Sequence, residues 1–505
     1  MLGNKLKFKI SCASFSHTLS LRAISLTLAL ALLLSACAPI SPVDVEQGTP
    51  AIKPVIQESP TPLPTRESFD PGELVDYTAQ DGDTVTALAA RFNTTANEIL
   101  EANPVLPQVT TTLPPGLPLK IPIYYLPLWG SSYKILPDYL FVNGPAQIGF
   151  NAREFVAEKP GWLKSYRVWA YGGWRTGGEL VDYIGMSYSV SPRLLLALLE
   201  YQTGALTRPS APVDIDKYAL GFKELYQENL YLQLLIAADT LNAGYYGWRS
   251  GKVLSTELQD GSLVRFDPWL NAGTVALQNY FSLIETPANY TEAITSIGLI
   301  ATYESLFSGI PVEMVELIPG SLTQPEMQLP FTPGKVWSYT GAPHPAWGNN
   351  QPWSALDFAP PAEKGGCAPS IEWVTAVADG VLSRTELGLT ILDLDEDGDE
   401  RTGWVVLYLH LSRYDAASQG KHVKAGDVVG HPSCERGNAT GTHVHIARKY
   451  NGEWIEADSP LPFNLEGWIP HSDGIAYKGT LTRFSRTVIA STSSDARTQL
   501  ATGSK

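Results

Sequence analysis

The sequence predicts a multidomain α+β protein: a small strand–helix–helix–strand module, a central all-α domain and a C-terminal all-β domain. Three observations lead there. At 505 residues the chain is long enough for two to four domains, and its 44% hydrophobic content supplies several cores. Apolar residues recur at helical spacing from about 125 to 325, then in β-prone runs broken by Gly and Pro from about 326 to 480. A Pro-, Ser- and Thr-rich stretch, 38–74, holds an apolar N-terminus apart from all of this and reads as a semi-extended spacer. The net charge of −15 provides no basic footprint for nucleic acid or anionic membranes.

Residues 1–37 read as a targeting segment. Lys5, Lys7, Lys9 and Arg22 precede an apolar run, Ile24 to Leu34, that is too short for a permanent span. Leu34-Ser35-Ala36-Cys37 resembles the lipobox of bacterial lipoproteins. The resemblance implies export and a lipid anchor on Cys37, placing the chain on the outer face of the cytoplasmic membrane or in the cell envelope. Cys12 and His17 leave with the signal. Export favours a single disulfide between the remaining cysteines, Cys367 and Cys434. Neither forms a Cys-x-x-Cys pair, so any zinc must be held by His and carboxylate.

In the module at 75–123, Val75-Asp76-Tyr77-Thr78 predicts a strand and Gly82-Asp83-Thr84 opens a helix. Thr95 and Glu98 form a capping-box pattern for a second helix, Asn103-Pro104 stops it, and Leu119-Lys120-Ile121-Pro122 closes as a strand. This order, with Tyr77, Asn103 and Ile121-Pro122, resembles a LysM module and implies binding to N-acetylglucosamine-containing glycans of peptidoglycan.

In the domain at 125–325, Ser191-Pro192 begins an apolar helix, Leu194 to Leu199, and further helices are expected at Tyr231–Leu241 and Val275–Ile284. The run from Pro192 to Gly204, with Asn271-Ala272-Gly273, resembles a degenerate lysozyme-like lytic transglycosylase. Gln202 stands where that family's catalytic acid would be, and an amide cannot donate the required proton. A domain that packs or positions is therefore the preferred reading, with Glu200 as the residue to test for a second site.

The region at 326–480 carries the chemistry. His443 and His445 lie two apart, so on a strand both rings share a face. Trp404, Val406, Tyr408 and His410 fall on one side of a second strand, and a His at its end is expensive to bury without a role. His344 and Asp357 complete a set of nitrogen and carboxylate donors suited to a hydrolytic zinc site.

These residues, with Ala378-Asp379-Gly380-Val381 and Ala425-Gly426-Asp427, resemble the lysostaphin-type, LytM-like zinc metallopeptidases. In most members the first His precedes the Asp by four residues. Trp353 occupies that place here, and His344 lies 357 − 344 = 13 residues upstream in Gly341-Ala342-Pro343-His344, as in the β-lytic branch. The resemblance implies His344, Asp357 and His445 as zinc ligands, and His410 and His443 as catalytic histidines whose division of labour stays open. It implies a peptidoglycan endopeptidase, tethered by the anchor and targeted by the glycan module. The alternative is a non-catalytic scaffold or activator of other wall hydrolases, which loss of ligands would signal. Asp393, Asp395 and Asp397 resemble the first half of a calcium loop, but the twelfth position is Trp404, so a solvated hairpin tip is preferred to calcium. His422, His431 and His471 read as surface or packing residues. Residues 481–505 are expected to be a C-terminal strand and tail.

Overall fold

The computed structural model describes residues 68–503 except 125, 128, 213, 214, 224, 309–314, 362–364 and 494. The signal segment, Cys37 and most of the spacer lie outside the described residues. The first module is strand–helix–helix–strand, as the sequence predicts: β1 (Glu73–Thr78), α1 (Val85–Arg91), α2 (Ala96–Ala102) and β2 (Pro118–Ile123). β1 pairs with β2 antiparallel, and Thr95 and Glu98 form a reciprocal capping box on α2. Asp83 and Arg91 make a buried ion pair of 2.7 Å, and Arg91 Nη2 also donates to the Trp248 carbonyl. That second bond fastens the module to the central region.

The central region is built on β3 (Arg167–Ala170), β4 (Gly173–Thr176), α3 (Gly177–Tyr188), α4 (Pro192–Thr203), α5 (Leu230–Arg249), β5 (Ser255–Glu257), β6 (Leu263–Arg265), α6 (Ala272–Ile284) and α7 (Leu299–Phe307), with shorter helical turns between. It is helical with two small hairpins, β3–β4 and β5–β6, which an all-α reading omits. α5 runs eight residues beyond the expected Leu241. Gly244 makes this workable, because a Cβ there would come within 2.8 Å of Ala276 Cα on α6. Among the described residues no helix is long and apolar enough to cross a membrane.

The C-terminal region holds β7 (Val336–His344), β8 (Ala355–Ala359), β9 (Val374–Thr375), β10 (Gly380–Glu386), β11 (Leu389–Asp393), β12 (Trp404–Leu409), β13 (His422–Val423), β14 (Val428–Gly430), β15 (Val444–Tyr450), β16 (Glu453–Trp454), β17 (Ile469–Ser472), β18 (Gly479–Arg483), β19 (Arg486–Ile489) and β20 (Gln499–Ala501). The main sheet runs β13-β10-β11-β12-β15-β8-β7-β20, with β16 beside β15. The apolar stretch from Val374 to Leu382 is two strands rather than one, because β9 leaves to pair with β14. The C-terminal segment is part of this architecture: β18 and β19 join β17, and β20 edges the main sheet.

β12 is buried on both faces. Val406 and Tyr408 pack into the β core, whereas Val405, Leu407 and Leu409 belong to the same core as the helices. The sheet therefore uses the helical region as its second layer. Arg249 ties the three regions together: it pairs with Asp138 at 3.2 Å and Glu453 at 2.9 Å, and a Cβ on Gly82 would lie 2.8 Å from its guanidinium carbon.

A second buried network lies on the main sheet. Glu400 accepts from Arg384 Nε at 2.6 Å and Lys449 Nζ at 3.0 Å. Burial alone would raise its carboxyl, but Lys449 and Arg384 bring it down to about 2. Burial lowers the Lys449 ammonium, which returns part of that gain. A carboxylate depressed on folding stabilises above its unfolded pKa and loses that contribution as pH falls through its folded pKa. Glu400→Gln, which strands two buried cations, is expected to cost roughly 3–5 kcal/mol near neutrality. In urea unfolding, its deficit against wild type should narrow as pH falls from the ordinary carboxylate range towards 2.

Candidate metal centre

Strand register assembles the site. Asp357 on β8 lies directly opposite His445 on β15, and Leu409 on β12 faces the same His445 from the other side. His410 follows Leu409 with φ +62, a left-handed turn at the strand end, and its carbonyl accepts from Ser433 N at 2.7 Å. His443 precedes His445 by two residues. The β7–β8 pairing shifts register between Gly341 and His344, which delivers His344 to the same place. Gly341 suits that place, because a Cβ would collide with the Asp357 carboxylate.

His344 Nε2 and His445 Nδ1 each lie 3.2 Å from Asp357 Oδ1 and 3.0 Å from one another. His443 Nε2 is 3.8 Å from the same oxygen, and the His410 and His443 ring centroids are 4.5 Å apart. All four rings turn their other nitrogen to a backbone carbonyl. His344 Nδ1 meets Ala342 O at 2.8 Å and His445 Nε2 meets Ala346 O at 3.1 Å. His410 Nδ1 meets Glu435 O at 3.1 Å and His443 Nδ1 meets Gly441 O at 2.7 Å. A carbonyl only accepts, so each outward nitrogen is the N–H, and in a neutral ring each inward nitrogen carries a lone pair.

A divalent cation fits this arrangement. Two inward lone pairs 3.0 Å apart repel, and the buried Asp357 Oδ1 has no hydrogen-bond donor. Ligands ~2.0–2.1 Å from a tetrahedral metal stand about 3.3 Å apart, close to the spacing here. Outer hydrogen bonds from ligating imidazoles to carbonyls are the usual means of fixing ring orientation. His344, Asp357 and His445 could thus hold a metal ion. Burial, reinforced by His443 and His445, takes the His410 imidazole down to about 3. Burial likewise lowers His445.

One contact escaped the sequence. Tyr477 stacks on His344 with centroids 4.1 Å apart and is half exposed. It lies beyond every recognisable motif, and only the fold brings it back, through Ala342 N to Tyr477 O at 3.3 Å. The carbonyls of Ala346 and Glu435 were equally illegible, since a backbone acceptor has no residue type.

Over residues 354–457 the chain matches the model described as Peptidase family M23. Asp357, His410, His443 and His445 all lie within that match. That match begins downstream of His344, so its place among the candidate ligands rests on geometry: the β7 register shift and the outward bond to Ala342. Residues 77–122 match the LysM domain model, and residues 134–318 match the model described as LasA, N-terminal domain. Protease LasA of Pseudomonas aeruginosa is 25% identical over 352 residues, covering 63% of this chain and 74% of that protein. The beta-lytic metalloendopeptidase of Lysobacter enzymogenes is 26% identical over 165 residues, covering 31% of this chain and 86% of that protein. The solved M23 metalloprotease pseudoalterin is 24% identical over 34% of this chain and 96% of its own, with a TM-score of 0.28.

Cys367 and Cys434 form a disulfide, and their neighbours Gly366 and Ser433 accept from Thr442 N at 3.0 Å and His443 N at 3.3 Å. Two elements of the family pattern meet directly: Asp379 accepts from Ala425 N at 2.9 Å. Glu200 lies apart on α4. Its carboxylate accepts from Leu206 N at 2.7 Å and Thr207 Oγ1 at 2.5 Å, holding the turn after the helix, while Gln202 donates to Glu285. His422 pairs with Glu396, His431 stacks on Trp373, and His471 bonds Thr482.

One contact of the helical region with the centre runs through a loop. Asp239 on α5 accepts from Asn349 N at 3.0 Å, Asn350 N at 3.3 Å and Asn350 Nδ2 at 2.6 Å. The same loop carries Ala346, whose carbonyl orients His445. Asp239→Ala is expected to weaken metal binding by up to about 10-fold, the lower end for loss of an outer partner. Competition with a chromogenic chelator would read it, and unchanged affinity would show the loop to be self-supporting.

Proposed function

We propose that this chain is a zinc-dependent endopeptidase that hydrolyses peptide bonds of peptidoglycan stems or cross-links. One observation carries the reading: three metal-type donor atoms 3.0–3.2 Å apart, beside two further imidazoles with inward lone pairs. Two nitrogens, one carboxylate oxygen and no sulfur is a donor set that suits zinc in hydrolytic sites. A zinc ion held by His344, Asp357 and His445 would polarise the scissile carbonyl and lower the pKa of water from ~15.7 towards ~7. The two free histidines move protons. With Nδ1–H committed to Glu435 O and Gly441 O, His410 and His443 each present Nε2 as an acceptor. One Nε2 would take the proton of the attacking water, and that same proton, directly or through the neighbouring ring, would be returned to the leaving amine.

The LysM match supports glycan binding, and tethering a glycan module to a peptidase raises the local concentration of stem peptides. The targeting segment supports export, with the lipid on Cys37 holding the chain at the cell envelope. Metal content by mass spectrometry, run beside amine release from purified peptidoglycan, tests the reading. About one zinc per chain with new amino termini is the expected result. Metal-free protein, or zinc without released amine, would overturn it and leave a wall-binding scaffold.

A further inference from the structure

The turn between β11 and β12 holds Asp393, Asp395 and Asp397 with ligand oxygens within 4.8 Å of one another. Carboxylates this close repel, and exposed ones tolerate it through hydration. Asp393 has no such recourse, being fully buried. Its Oδ2 accepts from Gly398 N at 2.8 Å, but its buried Oδ1 has no hydrogen-bond partner. Nor, among the described residues, does a Lys or Arg pair with any of the three. The contrast with Glu400, seven residues on, is direct: that buried carboxylate is flanked by Arg384 and Lys449. The same fold thus supplies two cations to one buried carboxylate and none to the other.

We propose that this turn is a calcium site, with Asp393, Asp395 and Asp397 as its carboxylate ligands. All-oxygen donors select a hard cation, and two ligands across a calcium sphere of ~2.3–2.6 Å radius reach about 4.6–5.2 Å apart. The ligands fall on the first, third and fifth positions of an Asp-x-Asp-x-Asp-Gly loop. Gly398 takes the sixth position with φ +85, where a sharp turn is needed. Asp395 is seated against the backbone, since a Cβ on Gly403 would collide with its carboxylate. Burial and the neighbouring Asp395 and Asp397 raise Asp393 to about 7, a charge conflict that a dication removes.

Trp404 at the twelfth position removes the bidentate carboxylate of a complete loop. Affinity therefore falls in the weak class, ~10⁻⁴–10⁻³ M. The site's place in the fold gives it a structural role. Arg401, held by Asp399, donates to the Gln147 carbonyl of the helical region, so an ordered turn clamps the sheet to its second layer.

The full chain, freed of metal and titrated with calcium chloride by calorimetry, tests this, with terbium emission as a second readout. Trp404 lines the same cavity as Asp395 and serves as the antenna. One saturable site is expected, weakened at least about 10-fold in Asp395→Asn and Asp397→Asn. Both residues are exposed, so the variants should fold. His445→Ala should leave calcium binding unchanged, which separates this site from the zinc reading. No saturable binding up to 10⁻² M, or equal binding in Asp395→Asn, would overturn the proposal.

Discussion

A chain carrying Asp357→Ala is expected to bind no zinc and to release amine from peptidoglycan at least ~10³-fold more slowly than wild type. Asp357 Oδ1 lies 3.2 Å from both inward nitrogens. Without it, two neutral imidazoles remain, too few for a tight divalent site. Asp357→Glu should not rescue. The added methylene drives a carboxylate into space already bounded by those nitrogens and by Gly341, whose absent Cβ marks how closely β7 passes. β8 keeps its register in the alanine variant, so circular dichroism should match wild type. Retained zinc and activity would mean that the metal is held elsewhere and that this cluster has another purpose.

The donor set was legible because residue type and period coincide. His443 and His445 are two apart on an extended segment, and Asp357 follows His344 in one stretch as a carboxylate donor. His344 was harder to read, since 13 residues and a register shift separate it from Asp357: residue type made it a candidate donor, and the resemblance to the β-lytic branch gave it its place as a ligand. What could not be read was whatever depends on backbone atoms or distant chain: the four carbonyls that fix the rings, and Tyr477 over His344. The acidic turn was read as solvated because Trp404 breaks the loop pattern. Burial of Asp393 is a property of the packed sheet, and sequence spacing does not contain it.

The same limit explains the helical region. Trp404 to Leu409 is unbroken apolar residues, and such a run signals a strand covered on both faces. Reading its alternation picked out the side bearing His410 and left Val405, Leu407 and Leu409 without a partner. The helices are that partner. Their contribution to the site follows from this shared layer. α5 lies close enough for Asp239 to grip the loop at 349–350, and α3 places Tyr183 OH 2.9 Å from Arg436, next to the Glu435 carbonyl that orients His410. The helical region shares a packed core with the sheet that carries the candidate metal centre.

His410→Ala and His443→Ala are expected to keep full zinc and lose activity by ~10²–10⁴-fold, the range for loss of a proton-transfer group. Their geometry separates them from the ligands. Neither belongs to the group of donors that could hold the metal, and His443 Nε2 stands 3.8 Å from Asp357 Oδ1, where the ligand nitrogens stand at 3.2 Å. The double variant should be little worse than either single one, because two groups that pass one proton act as a unit. The two differ in surroundings: His410 is buried, whereas His443 is partly exposed. Small exogenous imidazole should therefore restore His443→Ala more readily than His410→Ala. Metal loss in either variant would reassign that histidine as a ligand, and full activity with zinc retained would remove it from the reaction.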